Sequence, residues 1–311
     1  MPYDSDMLSY LETLSALDIP DVTQVTLAQA RTNRIGPYVP RPIRQDDWVQ
    51  IRNELLSLNN TKMTLRIYQP KALKKNLPGI IFIHGGGFVM GSLDHYDPFC
   101  IDMVKQMDCV VISVDYRLAP EYPFPIPVQD CYAASKWIFS SAKQYHVDPQ
   151  KLFIAGDSAG GCLSAAVTLL ARDQNEPFLK GQILLYPVTD NYFNTASYLT
   201  YADSPLPRDA MIWFWKQYLS DEKDGEHYLA SPLKTAHCQQ LPPALVITAE
   251  CDPLLDEGKA YADKLKLANT LYNYHCFAGM VHGFIFFDCV KSAKIATNEL
   301  LKKIHEFIKS C

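Results

Sequence analysis

The chain has 311 residues, of which 48% are hydrophobic and 20% are charged, and its formal net charge is −5. This composition is typical of a soluble globular protein, and the acidic balance argues against a general surface for nucleic acid or anionic membranes. No stretch approaches the roughly 18–20 consecutive apolar residues of a membrane helix. We therefore expect neither a nucleic-acid partner nor a membrane span.

The amino terminus and the cysteines predict a cellular location. The first residues, MPYDSDMLSYLETL, carry acids where a secretory signal would carry basic residues, and no continuous apolar core follows them. The nine cysteines lack CxxC pairs. Cys109 and Cys162 lie in apolar runs, where a thiol behaves as a small hydrophobic group. Free thiols in a reducing compartment are the simplest interpretation, which predicts a cytoplasmic protein.

From about residue 48, strand-like and helix-like patterns alternate along the chain. NELLSL (53–58) and MTLRIYQ (63–69) predict an opening hairpin that turns at Asn59-Asn60. GIIFIH (79–84) and CVVISVD (109–115) are short β-branched runs of the type buried on both faces of a parallel sheet. The elements predicted after them are, in chain order, a helix over Asp130 to Ser141, KLFIAG (151–156), a helix from Ala159, QILLYP (182–187), ALVITA (244–249), a helix from Gly258, YNYHCF (272–277) and a final helix from about Val290. The alternation predicts an α/β fold with a mostly parallel eight-stranded sheet and helices on both faces.

Two segments interrupt this alternation, residues 1–45 and residues 188–241. The first begins with a helical pattern and then carries several prolines, and the second contains the aromatic cluster Trp213, Phe214, Trp215 and Tyr218. Long excursions between core strands are usually lids or binding loops. We therefore expect a helical cap made of both segments over a catalytic domain of residues 46–311. Two alternatives stay open: one helix from Trp213 to Tyr218 buried against the core, or a contact in a homodimer.

Gly156-Asp157-Ser158-Ala159-Gly160 lies between a predicted strand and a helix rich in small residues. G-x-S-x-G at a strand-to-helix turn is typical of a nucleophile elbow, which holds its serine in a strained conformation. The two glycines remove Cβ atoms that would collide with neighbouring backbone. The alternative is a glycine-rich turn without a catalytic role. The context favours Ser158 as a nucleophile.

A second glycine-rich segment, His84-Gly85-Gly86-Gly87-Phe88, follows the strand GIIFI. Acyl transfer places negative charge on the former carbonyl oxygen, so backbone donors must already point towards it. Glycines let N–H groups approach that oxygen, and the amide of Ala159 completes such a site. A phosphate cradle is the alternative, but the P-loop and dinucleotide-binding fingerprints are absent. We expect His84 to anchor the loop rather than act as a base.

The partners of the serine are expected in the chain order serine, acid, histidine. His237, His275 and His282 follow Ser158, and only His282 comes directly after the last predicted strand, in a loop that can reach over the sheet edge. Asp252 directly follows the strand ALVITAE, so it is the expected acid, with Glu250 as the next candidate. We interpret Asp256 and Glu257 as first-turn acids that complement the dipole of the following helix.

The motifs together resemble the hormone-sensitive lipase-like family of α/β-hydrolase esterases. The similarity covers the chain from about His84 to His282 and rests on these segments, which stand in the family's order: HGGGF (84–88), DYRLAPE (115–121), GDSAGG (156–161), DPLLDEG (252–258) and HGF (282–284). The resemblance implies an α/β-hydrolase fold whose nucleophile, acid and base are, by position, Ser158, Asp252 and His282. It further implies oxyanion donors at Gly86, Gly87 and Ala159, with Gly85 shaping the loop.

The resemblance also implies supporting roles for other motif residues. Asp115, Arg117 and Glu121 are expected to form a structural ionic network that is buried or half-buried. Asp157, beside the nucleophile, is expected to support the site.

These features predict a serine hydrolase that cleaves short- to medium-chain carboxylic esters through an acyl-enzyme, with no metal and no cofactor. The expected partner is a small-molecule ester. Two alternatives stay open: a non-catalytic receptor on the same fold, and an amidase that uses the same triad. A receptor would be expected to carry a damaged triad or oxyanion loop, and both look intact in the sequence.

Overall fold

The computed structural model describes residues 3–17, 20–32, 46–58, 61–72 and 76–311. Its central feature is one eight-stranded sheet with the strand order β1-β2-β4-β3-β5-β6-β7-β8. The strands are β1 (Val49–Leu58), β2 (Thr61–Pro70), β3 (Leu77–Ile83), β4 (Val110–Val114), β5 (Val147–Asp157), β6 (Gly181–Leu185), β7 (Ala244–Cys251) and β8 (Leu271–Val281). All eight predicted strands are present.

Only β2 runs against its neighbours, because it pairs antiparallel with both β1 and β4. All other neighbouring strands pair in parallel. The predicted mostly parallel sheet is therefore confirmed, and so is the opening hairpin. Its predicted turn at Asn59-Asn60 lies outside the described residues. Parallel strands all end at the same edge of the sheet, so the loops that follow β3, β5, β7 and β8 are brought together there.

The described residues form nine α-helices around the sheet. Their bounds are α1 (Ser5–Ser15), α2 (Leu27–Thr32), α3 (Leu93–Met107), α4 (Ile126–Ser141), α5 (Ala159–Asp173), α6 (Ala196–Thr200), α7 (Arg208–Tyr218), α8 (Leu255–Leu267) and α9 (Lys291–Ser310). The predicted helices correspond to α4, α5, α8 and α9, although α4 begins at Ile126 and α8 at Leu255, before the predicted starts. Helix α3 was not predicted from the sequence, because Pro98 lies inside it and proline normally indicates a helix boundary.

The alternation of side chains along β3 shows how the core is divided. Ile81 and Ile83 belong to the core on one face of the sheet, with buried residues of α4 and α5. Ile80 and Phe82 belong to the core on the opposite face, with residues of α3 and α9. Burial on both faces explains the continuous apolar runs of the central strands. Within the part of the chain described here, we find no helix that combines the length and the apolar character needed to span a bilayer.

The first of the two interrupting segments is attached to the carboxyl edge of the sheet. The amide of Asp4, just before α1, donates to the carbonyl of Gly279 on β8 (3.1 Å). In α1, Met7 is fully buried, and the Tyr10 ring packs edge-on against Phe287 at 5.7 Å. Helix α1 therefore lies beside the loop that follows β8. Residues 33–45 of this segment lie outside the described residues.

The aromatic cluster of the second segment lies in a single helix, α7. Phe214, Trp215 and Tyr218 are almost completely buried within the chain. The Tyr218 ring stacks on Phe88 of the glycine-rich loop, with 3.8 Å between ring centroids. These three side chains are therefore part of the core of one chain and are not exposed to a second copy. Trp213, on the same helix, is only partly buried.

Candidate active site

Ser158 lies at the sharp turn between β5 and α5, with φ 54° and ψ −123°. A positive φ is strained for a residue with a Cβ, and such strain is typical of a nucleophile elbow. The turn depends on its two glycines. A Cβ on Gly156 would lie 2.3 Å from the carbonyl oxygen of Gly160, and a Cβ on Gly160 would lie 2.0 Å from that of Ile83. The predicted reason for both glycines is confirmed.

Three polar side chains from distant parts of the sequence meet at this turn. His282 Nε2 lies 2.9 Å from Ser158 Oγ, and His282 Nδ1 lies 2.7 Å from Asp252 Oδ2. Asp252 is completely buried, while Ser158 and His282 keep small exposed fractions of 4% and 8%. The aspartate accepts from one ring nitrogen, so the other is left to accept from the serine hydroxyl. The arrangement can move a proton from Ser158 to His282 beside a buried negative charge.

Asp252 directly follows β7, as the sequence predicts, and its second oxygen Oδ1 accepts from the amide of Leu254 (2.9 Å). Glu250, the other acid candidate, instead accepts from the amide of Gly279 (2.7 Å), which connects β7 to β8. The histidines that the sequence analysis set aside also lie elsewhere. His275, on β8, faces Glu299 (3.7 Å), and the carbonyl of His237 accepts from Arg172 (2.8 Å).

The glycine-rich loop after β3 lies against the serine turn. Gly86 and Gly87 have φ values of +113° and +61°, and both line one cavity with Ser158 and His282. A Cβ at Gly87 would lie 2.3 Å from the Phe214 ring of α7, so a larger residue does not fit there. Gly85 differs from these two glycines because its amide is already hydrogen-bonded inside the protein, as described below.

A family model described as the α/β-hydrolase fold matches residues 80–286 of the chain. The chain belongs to this α/β-hydrolase family. It is 38% identical to the carboxylesterase NlhH of Mycobacterium tuberculosis over 237 residues, which cover 75% of this chain and 74% of NlhH. It is 34% identical to the arylesterase of Saccharolobus solfataricus over 293 residues, which cover 92% of this chain and 93% of that protein.

Solved structures agree with the sequence relatives. The crystal structure of a thermostable esterase from Pseudomonas putida matches this hydrolase with a TM-score of 0.89 at 33% identity, over 96% of this chain and 95% of that one. The resemblance to hormone-sensitive lipase-like carboxylesterases, which the motifs predicted, is confirmed by these relatives. The predicted α/β-hydrolase fold is confirmed as well.

His84, at the start of the glycine-rich loop, has the surroundings of an anchor. It is completely buried, and its Nδ1 lies 2.8 Å from the carbonyl oxygen of Gly85. Its ring stacks on Tyr116, with 4.4 Å between centroids. Burial lowers the pKa of His84 to about 4, so the imidazole is neutral near pH 7. In this hydrolase His84 therefore anchors the start of the glycine-rich loop through its contacts with Gly85 and Tyr116, as predicted from the sequence.

Asp157 also holds the glycine-rich loop, through a hydrogen bond to its backbone. The amide of Gly85 donates to Asp157 Oδ1 (2.8 Å) and to the hydroxyl of Tyr96 (2.9 Å), and that hydroxyl donates to Asp157 Oδ2 (3.0 Å). Burial raises the pKa of Asp157 to about 6, although Tyr96, His282 and the Gly85 amide oppose this rise. Tyr96 was not predicted from the sequence as a site residue, because it lies on helix α3, which was not predicted either.

Asp256 and Glu257 have roles that the sequence analysis did not foresee. Both lie in the first turn of α8, as expected, but their side chains bind the second interrupting segment. Asp256 Oδ2 accepts from the amide of Ser197 (2.8 Å), and Glu257 Oε1 accepts from the amide of Thr189 (2.7 Å). These contacts fix the base of residues 188–241 beside the loop that carries Asp252. Burial raises the pKa of Glu257 well above its usual range.

The ionic network expected from the motif DYRLAPE is not one network. Arg117 forms a two-pronged pair with Asp130 of α4, with contacts of 2.6 and 2.8 Å. Glu121 pairs with Arg31 of α2 (2.7 Å), and half of the Glu121 side chain is exposed. Asp115, directly after β4, is an exposed residue whose carboxyl group interacts electrostatically with Arg66 and Asp94. Arg117 and Glu121 therefore have the expected half-buried ionic partners, but these partners come from α4 and α2, and the two pairs are separate.

A cavity of about 650 Å³ opens above Ser158 and His282. Its wall combines apolar side chains of α1 and α7 with the loop after β8, and three carboxylates also border it. The lining includes Leu8, Leu11, Leu14, Met211, Phe214, Phe286, Glu12, Asp21 and Asp203. Among the residues that the structure describes, no cluster of three His, Cys, Asp or Glu side chains is placed to hold a metal ion.

Proposed function

We propose that this α/β hydrolase is a carboxylesterase with Ser158 as nucleophile, His282 as base and Asp252 as acid. The observation that carries the proposal is the unbroken chain of short contacts from Ser158 Oγ through the imidazole to Asp252, at the floor of an apolar cavity. The sequence relatives named carboxylesterase and arylesterase support an ester as the substrate.

Acylation begins when His282 Nε2 takes the proton of Ser158 and the serine oxygen attacks the ester carbonyl. The carbonyl oxygen becomes an oxyanion, and the backbone amides of Gly86, Gly87 and Ala159 donate hydrogen bonds to it. Asp252 holds the Nδ1–H tautomer and stabilises the imidazolium. His282 then gives its proton to the leaving alkoxide, so an alcohol departs and an acyl-serine forms.

Deacylation repeats these steps with water. His282 removes a proton from the water as its oxygen attacks the acyl carbonyl, and the same amides hold the second oxyanion. The bond to Ser158 Oγ breaks, the serine regains its proton from His282, and the carboxylic acid leaves. These proposed steps use only the ester, water and residues of this chain.

The walls of the cavity indicate the class of ester. Leu11 and Leu14 of α1 line the same cavity as Met211 and Phe214 of α7, together with Ser158. A pocket of about 650 Å³ with apolar walls is of a size that suits short to medium acyl chains. We propose that residues 1–45 and 188–241 act together as a cap over a catalytic domain of residues 46–311.

Ester turnover by Ser158→Ala tests the proposal. With p-nitrophenyl butyrate we expect a loss large enough to leave only about 10³–10⁴-fold catalysis over water, the remainder typical of a site without its triad. The matched control is Ser164→Ala, which removes a fully buried hydroxyl from α5, the helix that follows Ser158, and should keep wild-type turnover. Wild-type turnover in Ser158→Ala would refute the assignment.

The two alternatives from the sequence give different outcomes in further measurements. A receptor on this fold would bind ligands without turning over esters and would not react with a fluorophosphonate. An amidase would cleave p-nitrobutyranilide at least as fast as the matched butyrate ester. We expect rapid fluorophosphonate labelling, and a strong preference for the ester.

The location and the oligomeric state are proposals as well. All nine cysteines are free, and six of them are buried, which supports residence in a reducing compartment such as the cytoplasm. Thiol titration of the denatured protein, isolated without reductant, should give nine reactive thiols per chain. A homodimer is tested by sedimentation: a species of twice the chain mass supports it, and a species of the chain's own mass excludes it.

A further inference from the structure

Tyr96 connects the nucleophile turn to the glycine-rich loop through one hydroxyl group. The Tyr96 oxygen accepts from the Gly85 amide (2.9 Å) and donates to Asp157 Oδ2 (3.0 Å). Asp157 Oδ1 accepts from the same Gly85 amide (2.8 Å). Tyr96 and Asp157 are both completely buried. The three groups therefore form a closed triangle of hydrogen bonds away from water, where each bond is costly to lose.

The helix that carries Tyr96 is itself fixed by a buried charge. The next residue, Asp97, accepts from the Arg66 guanidinium of β2 (2.9 Å) and from the Tyr68 hydroxyl (2.5 Å). Only 7% of the Arg66 side chain and 2% of the Asp97 side chain are exposed. Aromatic packing adds to this, because the rings of Phe82 and Phe286 lie 5.4 and 5.1 Å from the Tyr96 ring. The hydroxyl is therefore held in place before any substrate binds.

The site needs this fixed hydroxyl because of the position of Gly85. Gly85 directly precedes Gly86 and Gly87, whose amides are the proposed oxyanion donors. A backbone amide can only stabilise the oxyanion if it is already aimed at the place where the charge develops. Holding the amide of Gly85 towards Tyr96 and Asp157 fixes the first peptide of the loop and thereby the direction of the next two.

We propose that Tyr96 is a positioning residue of the oxyanion loop, acting with Asp157 on the amide of Gly85. This inference rests on the proposed function, since it assigns a role in the same reaction. Tyr96 touches neither the ester nor the reacting atoms. Its contribution is to keep the donors of the loop in the geometry that the transition state requires, so it acts on turnover more than on substrate binding.

The triangle also links the site to pH. The Tyr96 hydroxyl on α3 and the amide of Gly85 in the glycine-rich loop donate hydrogen bonds to the Asp157 carboxylate, and His282 after β8 acts on it electrostatically. The Tyr96 hydroxyl lowers the pKa of Asp157 by hydrogen bonding. Removing that hydroxyl raises the pKa of Asp157, so the carboxylate takes up a proton at a higher pH and accepts more weakly from the loop. The acid limb of the kcat profile should then move to higher pH.

Tyr96→Phe tests the inference because it removes the hydroxyl and keeps the ring. With p-nitrophenyl butyrate we expect kcat to fall about tenfold, the effect of losing one buried hydrogen bond to a charged group, while KM stays within about twofold. A butyl trifluoromethyl ketone, whose adduct with Ser158 carries the oxyanion, should bind more weakly by about the same factor as the loss in kcat/KM. The matched control is Tyr261→Phe, a fully buried tyrosine of α8 outside the site.

The outcomes separate this inference from the proposed function. A wild-type protein that neither cleaves the ester nor reacts with a fluorophosphonate would overturn the proposed function itself. An active wild type in which Tyr96→Phe matches Tyr261→Phe in kcat, in affinity for the trifluoromethyl ketone and in pH profile would overturn the role of Tyr96 alone. Because a fall in Tm alone follows from any core substitution, a Tm loss without these three changes also counts against the inference.

Discussion

The loops at the carboxyl ends of the strands and the wall of the cavity above them are built in different ways. The loops are fixed by backbone geometry: Ser158 has a positive φ, and the glycines beside it leave no space for a Cβ. The wall is made mainly of apolar side chains, on helices α1 and α7 and in the loop after β8, and some of them, such as Leu8 with 42% exposure, are open to solvent.

This difference separates chemistry from substrate choice. In the loops, a displacement of about 1 Å breaks a hydrogen bond or creates a clash, and turnover falls for every substrate. In the wall, a change of side-chain volume alters which acyl chains fit and leaves the reacting groups in place. Substitutions in the loops should therefore lower kcat for all esters, and substitutions in the wall should change the preference among esters.

The largest effect expected among the loop variants is that of Asp252→Asn. An amide cannot hold the Nδ1–H tautomer of His282, so we expect kcat to fall by about 10⁴-fold for all acyl chain lengths. Steady-state kinetics with acetate, butyrate and octanoate esters measure this loss. Asp263→Asn, on the exposed side of α8 where Asp263 pairs with Lys259, serves as the control. A fall in kcat for esters of only one acyl chain length would contradict the difference proposed between the loops and the wall.

A methyl group in the serine turn should have the next largest effect. In Gly160→Ala the new Cβ would lie 2.0 Å from the Ile83 carbonyl oxygen, a backbone atom that cannot move freely. We expect a loss of about 3 kcal/mol in the free energy of unfolding together with lower turnover for all esters. In Gly258→Ala the nearest atom is a methyl group of Thr248 at 3.0 Å, so chemical denaturation should show a much smaller change.

A larger side chain in the wall should change specificity alone. Leu14→Trp, at a partly buried position of α1 that lines the cavity, fills part of that space, so we expect kcat/KM for octanoate esters to fall about tenfold while acetate esters change by less than about twofold. Leu199→Trp, at an exposed position of α6, should leave both substrates unaffected. Equal losses for acetate and octanoate would show that the wall and the loops are not separate regions.

The smallest effect is expected on the thermal stability, at Glu257. This residue of α8 follows the loop that carries Asp252 and holds residues 188–241 through the amide of Thr189. Burial raises the pKa of Glu257 in the folded chain. The folded state therefore binds the proton more tightly than the unfolded chain, whose glutamate has a pKa of about 4.5. The stability that the protonated side chain contributes is present below this value and is lost as the pH rises through the higher pKa of the folded state. Glu257→Gln cannot ionise and keeps its acceptor for Thr189. We expect equal Tm values near pH 4.5 and a Tm about 2 °C above wild type at pH 8. A difference that shrinks with rising pH would contradict this.

The residues of the loops at the carboxyl ends of the strands could be predicted from the sequence. G-x-S-x-G at a strand-to-helix turn, the three consecutive glycines after a strand and Asp252 directly after a strand are local patterns that indicate a role before any distant partner is known. The structure brings the side chains of Ser158, His282 and Asp252 together as expected. The sheet was equally predictable, because central strands buried on both faces leave continuous apolar runs.

The residues that the sequence did not reveal act through partners far along the chain. Tyr96 lies on α3, which was not predicted because Pro98 interrupts the pattern, and its hydroxyl matters only once Asp157 lies opposite. Glu257 has the ordinary appearance of a first-turn acid, and its contact with Thr189 becomes visible only in three dimensions. Glu121 was expected to have an ionic partner, but the sequence did not indicate that this partner is Arg31 of the amino-terminal segment.

The central claim is that the Ser158 hydroxyl is the group that attacks the ester. Intact-mass spectrometry after reaction with a fluorophosphonate, followed by peptide mapping, measures this directly. We predict one phosphonyl group per chain, attached to Ser158, with loss of ester turnover in proportion to labelling and no adduct in Ser158→Ala. An adduct on another residue, or full turnover by a protein completely labelled at Ser158, would contradict the account.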